Sequence, residues 1–167
     1  MKTKLVLELK NEILNVLREK MEENEINKRL RKTENYLGTY SIDELNSLKI
    51  SLYPSFLVVN LDIRENSGTH WIALALYCND IFICDSLGTL VLDRFPSELV
   101  NFIHLITFNK ILHITKQLQS YNSENCGKFC ILFVKTMSCT NNFSRFLSNF
   151  SQNFSLNDCI ISLLNNS

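Results

Sequence analysis

The chain has 167 residues, of which 46% are hydrophobic and 20% are charged, and its formal net charge is zero. A chain of this length fits one domain that buries on the order of 70% of its extended surface, so it needs neither disulfides nor a metal to fold. The neutral charge indicates no membrane partner and leaves a nucleic-acid partner open. No apolar run reaches transmembrane length, and Glu8, Lys10 and Glu12 interrupt the pattern of a signal peptide.

Six cysteines are present, and their context bears on the compartment and on metal binding. They are Cys78, Cys84, Cys126, Cys130, Cys139 and Cys159. Without a signal peptide, free thiols in a reducing, intracellular compartment are expected. Cys126 and Cys130 are four residues apart, but Cys78 and Cys84 lack the spacing of a zinc finger, so no metal site is predicted.

The N-terminal third of the chain is predicted to be mostly helical. Residues 1–32 are charged, with apolar positions at helical spacing that would pack on the rest of the domain. These apolar positions are Val6, Leu9, Ile13, Val16 and Leu17. Residues 36–40 are interpreted as a break between this helix and the next element. Ser41, followed three residues later by Glu44, then predicts a capped short helix.

The middle of the chain alternates between strands and one helix. Residues 56–63, 71–77 and 81–84 are apolar runs typical of buried strands, and residues 78–80 form the turn of a hairpin between the last two. Pro96 and Ser97 begin a helix that is predicted to bury its apolar face. Residues 111–117 could form a further strand.

The C-terminal third is predicted to be helical again. Residues 126–137 form a strongly apolar helix suited to the interior, and two short helices follow in residues 138–167. The order of elements predicts an α+β fold with a central, mostly antiparallel sheet packed on helices. We expect a single peptidase domain, in which residues 1–32 form an amphipathic helix, 34–137 the catalytic core and 138–167 the C-terminal helices.

Cys126 and His70 are the candidate nucleophile and base. A thiol attacks a carbonyl carbon as the thiolate, and the positive end of a helix at Cys126 would favour that form. Gly127 would leave the adjacent backbone open to substrate. His70 precedes an apolar strand and can accept a proton near neutral pH. Taken alone, Cys126 would more often be a small buried core residue, and His70 a structural one.

Asp85 and Gln119 complete the predicted site. Asp85 follows the second strand of the hairpin, and it faces the same side as His70 if the turn has an even number of residues. A carboxylate there would orient the imidazole, although a residue that simply ends a strand remains an alternative. Gln119 could donate its side-chain amide to an oxyanion, together with the Cys126 backbone amide.

Four segments resemble the adenovirus-type cysteine peptidases (adenain) and, more distantly, the deSUMOylating proteases that share their fold. They are Tyr36-Leu37-Gly38-Thr39-Tyr40, Gly68-Thr69-His70-Trp71, Phe82-Ile83-Cys84-Asp85-Ser86-Leu87-Gly88, and Gln119 through Cys130. The resemblance implies a papain-like site with His70 as base, Asp85 as its orienting carboxylate, Cys126 as nucleophile and Gln119 in the oxyanion hole. Asp85 replaces the glutamate usual in adenain.

The resemblance also carries expectations about substrate and activation. Such enzymes cut after small residues, often in Gly-containing sites, and Trp71, Asn125 and Gly127 are expected to contact substrate. Trp71 could also be a core aromatic. Adenain uses a disulfide-linked peptide activator, but Phe108 occupies the position of the cysteine that this would require. The neutral charge argues against the DNA activation known in the family, so no cofactor is expected.

The resulting hypothesis is a viral or virus-like endopeptidase that processes virion precursor proteins. It would be a monomer acting in the host nucleus and the virion. An isopeptidase that removes a ubiquitin-like modifier is the main alternative, because the same site would serve both reactions. A non-catalytic binding module on the same fold is the second alternative, against which the complete set of four site residues argues.

Overall fold

The computed structural model describes residues 20–66, 68–89, 94–106 and 109–165. Within these ranges the chain forms five strands, five α-helices and one short 3-10 helix. In chain order they are α1 (Glu23–Leu30), β1 (Tyr36–Ser41), the 3-10 helix (Ile42–Ser47), β2 (Ser55–Asn60), β3 (Trp71–Leu76), β4 (Asp80–Cys84), α2 (Ser97–Leu105), β5 (Lys110–His113), α3 (Cys126–Thr140), α4 (Phe143–Leu147) and α5 (Phe154–Asn165). None of the helices in these ranges is both long and apolar enough to span a bilayer.

The strands form one mixed sheet in the order β1-β2-β3-β4-β5. The central strands β2, β3 and β4 pair antiparallel, as predicted, whereas both edge strands pair in parallel with their neighbours. Parallel neighbours need a crossover connection, which the 3-10 helix supplies at one edge and α2 at the other. The predicted α+β fold is confirmed, with a sheet that is mixed and not mainly antiparallel.

Both faces of the sheet are buried, which explains why β3 is apolar at every position and β2 is apolar at every position between Ser55 and Asn60. Alternate side chains such as Val58 and Ala73 face α1, α3 and the C-terminal helices. Their neighbours Val59 and Ile72 face the 3-10 helix and α2. Helix α3 lies across β3 on the first face, so its amino-terminal end comes close to the start of that strand.

Residues 36–41 form an edge strand, and the predicted break there is wrong. Tyr36 pairs with Phe56 and Gly38 pairs with Leu57, so the register shifts by one residue between them. Gly38 has a φ of +131°, a conformation that glycine adopts more readily than other residues, and the β-bulge lies at this residue. The tyrosines and Thr39 around it favour a strand, and the parallel partner β2 outweighs the single glycine.

The N-terminal helix is shorter in the described part than predicted. Helix α1 begins at Glu23, whereas residues 20–22 are not helical. The side chain of Met21 is buried, and its carbonyl accepts a hydrogen bond from Trp71 Nε1 at 3.0 Å. This tertiary contact holds the chain in an extended path ahead of α1. The predicted apolar positions Val6, Leu9, Ile13, Val16 and Leu17 lie outside the described residues.

Other predicted elements are present with shorter bounds. The helix that begins at Ser97 buries Leu99, Phe102 and Ile103, as the spacing indicated. The Ser41 amide donates to the Glu44 carboxylate at 2.7 Å, as expected of the capped short helix. Strand β2 ends at Asn60, whose side-chain oxygen accepts the Asp62 amide at 3.0 Å and turns the chain. Strand β5 covers only the first part of the predicted run.

Candidate active site

His70 lies immediately before β3, at the edge of the sheet where α3 begins. Its carbonyl accepts a hydrogen bond from the Leu61 amide at 2.9 Å, which extends the ladder between β2 and β3. Gly68 has a φ of +75°, and a Cβ there would lie 2.1 Å from Asn60 Nδ2. Only glycine allows this tight approach to β2, and the approach sets the direction in which the chain enters His70.

Asp85 follows β4 and meets His70 across the hairpin. Leu76 pairs with Ile81, so four residues, 77–80, lie between this pair, which is an even number, whereas the predicted turn of residues 78–80 had three. The condition under which His70 and Asp85 share a side of the sheet is therefore met. The His70 Nε2 atom lies 2.7 Å from Asp85 Oδ1, and since a carboxylate only accepts, Nε2 carries the hydrogen.

The Asp85 carboxylate is held by further donors of the loop that follows β4. The Leu87 amide donates to Oδ1 at 2.9 Å, and the Thr89 hydroxyl donates to Oδ2. Burial is the largest influence on this carboxyl and raises its pKa. The hydrogen bond and charge of His70, together with Thr89 and Leu87, outweigh burial, so that the pKa of Asp85 is lowered. The group is an anion at neutral pH.

The imidazole of His70 is shifted in the opposite direction. Burial, the largest influence, lowers its pKa, but the hydrogen bond with Asp85, the nearby Cys126 sulfur and the charges of both groups outweigh burial and raise the pKa to about 9. The His70 side chain is 14% exposed, so solvent screens these interactions little. The protonated imidazolium is therefore the form that this environment favours at neutral pH.

Cys126 is the first residue of α3 and is 7% exposed. Its sulfur lines the same cavity as the His70 ring, and it is close enough to raise the pKa of that imidazole. Since Asp85 occupies Nε2, Nδ1 is the ring nitrogen left for Cys126. The first amides of a helix have no acceptor within the helix and carry partial positive charge, and Cys126 lies at this end of α3.

Gln119 lies seven residues before Cys126, with a side chain that is held at both ends. The Ser86 hydroxyl donates to Oε1 at 2.7 Å, and Nε2 donates to the Ser123 carbonyl at 2.6 Å. The Gln119 amide also donates to the Ser86 carbonyl at 3.0 Å, which ties this loop to the end of β4. The Ser86 contact fixes Nε2 as the donor end, and Nε2 has a second hydrogen to offer.

A cavity of about 130 Å³ connects these groups. His70, Gln119 and Cys126 line it together with Trp71, in the position predicted for a substrate contact. The indole nitrogen of Trp71 is fixed by the Met21 carbonyl, so its ring forms a rigid wall. Tyr121 also lines the cavity and is 79% exposed, which makes it a rim residue that the sequence did not single out.

Asn125 and Gly127, for which substrate contact was predicted, contact other parts of the protein. The Asn125 side chain donates to Asp158 Oδ1 at 3.1 Å and does not line the cavity. Gly127 is buried, and a Cβ at this position would lie 2.6 Å from Met21 Cβ. Glycine at this position allows the segment ahead of α1 to pack against α3.

Ser86 and Thr89 orient site residues and were not predicted individually. Both are small polar residues just after the strand-ending Asp85, and this position is the signal that could have identified them. No group of three or more His, Cys, Asp or Glu side chains is arranged for a metal ion in the part of the chain that the structure describes. Phe108 lies outside the described residues.

The fold is similar to solved structures that share little sequence with the chain. The central domain of the uncharacterized Lpg1148 protein from Legionella pneumophila has 9% identity and a TM-score of 0.56, covering 89% of this chain and 95% of that one. The ASFV pS273R protease has 16% identity and a TM-score of 0.46 over 64% of this chain. The chain spans only 42% of the length of that protease. No curated protein matches the sequence.

A comparison with protein families is more specific. Residues 36–160 match the family described as adenovirus endoprotease. The matched region contains the whole sheet and all four residues of the predicted catalytic set, including Cys126. It spans 125 of the 167 residues. The chain therefore belongs to the adenovirus endoprotease family of cysteine peptidases.

Proposed function

We propose that the chain is an endopeptidase that cleaves precursor proteins at Gly-containing sites through a covalent acyl-enzyme. The observation that carries this proposal is that a single imidazole, that of His70, binds Asp85 at 2.7 Å and lines one cavity with the Cys126 thiol, which raises the pKa of the imidazole. A protonated base held between a carboxylate and a thiol at a helix start is the arrangement that nucleophilic thiol catalysis requires.

The reaction begins with attack of the Cys126 thiolate on the carbonyl carbon of the scissile bond. A carbon–sulfur bond forms, and the carbonyl oxygen becomes an oxyanion that accepts from the Cys126 amide and from Gln119 Nε2. The His70 imidazolium then gives its proton to the leaving amine as the carbon–nitrogen bond breaks. This step leaves a thioester on Cys126 and a neutral imidazole.

Water completes the cycle. His70 takes a proton from the water that attacks the thioester, and the carbon–sulfur bond breaks to release the acid and restore the Cys126 thiolate with a protonated His70. Asp85 keeps its charge throughout and holds the imidazole by Nε2, so that Nδ1 stays directed at the reacting atoms. Removing a donor such as Gln119 would cost about 3–4 kcal/mol of barrier lowering.

The preference for glycine rests on the size of the cavity. About 130 Å³ corresponds to roughly four water molecules in the liquid, and the backbone on either side of the scissile bond must occupy part of it, which leaves little room for a side chain. Trp71 lines this space and is fixed by its bond to Met21, so the wall cannot move aside without loss of that bond. A residue without a side chain next to the scissile carbonyl suits these dimensions.

The wider setting is also a proposal. The whole chain would act as one peptidase domain and as a monomer on virion precursor proteins, without a cofactor or a disulfide-linked activator. All six cysteines are free thiols, which suits an enzyme that works in a reducing compartment such as the host nucleus and then in the virion. Family membership supports a polypeptide substrate.

The proposal is tested with purified protein on fluorogenic peptides that differ only at the residue before the cleaved bond. Hydrolysis after glycine, at least about tenfold faster than after leucine, and its loss in Cys126→Ala are expected. A folded ubiquitin-like conjugate is tested in parallel. Cleavage of that conjugate without cleavage of peptides or virion precursors would contradict the endopeptidase and favour the isopeptidase.

A further inference from the structure

Residues 119–125, here called the oxyanion loop, join the two groups that would stabilise the reaction's negative charge. Gln119 begins the loop, and the backbone amide of Cys126 follows it directly. The loop contains no strand or helix, so no regular ladder of hydrogen bonds fixes its shape. The relative position of the two donors therefore depends on side-chain contacts from elsewhere in the fold.

The Asp158 side chain of α5 supplies those contacts. Its Oδ2 atom accepts from the Ser120 amide at 3.2 Å, and its Oδ1 atom accepts from the Ser123 hydroxyl at 2.8 Å and from Asn125 Nδ2 at 3.1 Å. Asp158 is 8% exposed, so its bonds face little competition from water. One carboxylate thus binds the loop at its beginning, middle and end.

Each of these contacts is adjacent to a predicted catalytic donor. Ser120 follows Gln119, and Asn125 precedes Cys126 in the chain. Ser123 accepts from Gln119 Nε2 through its carbonyl at 2.6 Å while its hydroxyl donates to Asp158. Because Ser86 also holds Gln119, a displacement of the carboxylate would change the position of the Cys126 amide relative to Gln119, although the carboxylate touches neither donor.

We propose that Asp158 is a positioning residue that holds the oxyanion loop in its reactive shape, so that Gln119 and the Cys126 amide point at the same oxygen. This inference rests on the proposed peptidase function. The role requires a carboxylate, since three donors converge on two oxygens that only accept. An asparagine has the same shape but replaces one acceptor oxygen by an NH₂ group. It must therefore lose either the hydrogen bond from the Ser120 amide or the two hydrogen bonds from Ser123 and Asn125.

The consequence for catalysis is selective. Misplacement of a reacting group by about 1 Å can cost on the order of 100-fold in rate, whereas substrate contacts made elsewhere are unchanged. Asp158→Asn should therefore lower kcat by about 10- to 100-fold with less than a threefold change in KM. The reaction of Cys126 with iodoacetamide builds no oxyanion, so its rate should stay within about twofold of wild type.

The experiment compares wild type, Asp158→Asn and Ser162→Ala in the full chain. Ser162 lies on the same helix, is buried, and binds Lys128 Nζ at 3.3 Å without touching the loop. Three quantities are measured: kcat and KM on a Gly-containing peptide, the alkylation rate of Cys126 by peptide mass spectrometry, and amide hydrogen exchange of residues 120–126. The serine variant controls for a weakened packing of α5 on α3.

The positioning role predicts lower kcat, unchanged alkylation and faster exchange of residues 120–126 in Asp158→Asn alone. Equal losses in Asp158→Asn and Ser162→Ala, or a parallel loss of alkylation and kcat, would overturn it, because both indicate general destabilisation of α5. Unchanged exchange would also overturn it. A wild-type protein that hydrolyses no peptide would refute the peptidase, and the exchange comparison would still decide whether Asp158 holds the loop.

Discussion

His70 and Asp85 are 15 residues apart in the chain, and their side chains meet at 2.7 Å because the hairpin of β3 and β4 closes with an even turn. The same hairpin sets the imidazole over the start of α3, where Cys126 lies. The contact raises the pKa of the imidazole and lowers that of the carboxyl. The pair therefore carries opposite charges over the neutral range.

Replacing Asp85 by asparagine should shift the pH dependence of the reaction. Above the pKa of His70, which is about 9, the imidazolium is lost and kcat/KM should fall. Asp85→Asn removes the charge that raises this pKa, so the alkaline limb should move to lower pH and the maximum should fall about 10- to 1,000-fold. A pH profile of kcat/KM measures both effects.

Asp85→Glu is the matched control because it keeps the charge. Its alkaline limb should remain near that of wild type, and an identical profile for both variants would contradict the role of the charge. The raised pKa has a further consequence for folding. The stability that protonated His70 contributes is complete below its ordinary value of 6.5 and is lost as pH rises through about 9, which thermal melts can follow.

Gln119→Ala should reduce turnover without blocking the thiol. Loss of one oxyanion donor typically costs about 100- to 1,000-fold in kcat, whereas alkylation of Cys126 by iodoacetamide should continue at nearly the wild-type rate. Ser86→Ala keeps Nε2 but removes the hydroxyl that binds Oε1 at 2.7 Å, so its kcat should fall by a smaller factor. A larger loss in Ser86→Ala than in Gln119→Ala would contradict this assignment.

Gly127→Ala should destabilise the protein by about 1–3 kcal/mol because the added Cβ would lie 2.6 Å from Met21 Cβ. A loss of stability would distinguish this packing effect from ordinary helix propensity, because an alanine within a helix is usually more favourable than a glycine by up to about 1 kcal/mol. Urea unfolding gives the free energy. Cys139→Ala, on an exposed position of the same helix, is the control and should be near neutral. A stabilised Gly127→Ala would refute the packing role.

Activity should not require DNA or a cysteine-containing peptide. The chain is neutral overall, and Phe108 stands where a disulfide-linked activator would need a cysteine. The kcat/KM of purified protein should therefore change by less than about twofold on addition of duplex DNA or of dithiothreitol. A tenfold stimulation by DNA would contradict this expectation.

The parts of the fold that could be predicted from the sequence are those that depend on local sequence patterns. The apolar spacing of α2 and α3, the hairpin, and the condition that brings His70 to Asp85 all follow from side-chain periodicity and turn length. The edge strand β1 could not be predicted this way, because its partner β2 lies across a crossover and Gly38 is an unfavourable local signal. Pairing with a distant strand outweighed local propensity.

The contacts that Asn125 and Gly127 make within the protein could not be predicted, for a related reason. Both lie beside Cys126, and adjacency alone suggested substrate contact. Their actual partners, Asp158 and Met21, are 33 residues later and 106 residues earlier in the chain, respectively, and reach the site only when α5 and the segment before α1 dock on α3. No short-range pattern encodes which helix docks there.

The central claim is that Cys126 is the nucleophile and that His70 activates it. The most direct measurement is mass spectrometry of the protein after treatment with a Gly-Gly vinyl sulfone. If His70 activates Cys126, one adduct is expected, on Cys126, and it forms at least about 100-fold more slowly in a folded His70→Ala variant. Adducts spread over several of the six cysteines, or an unchanged rate in His70→Ala, would contradict it.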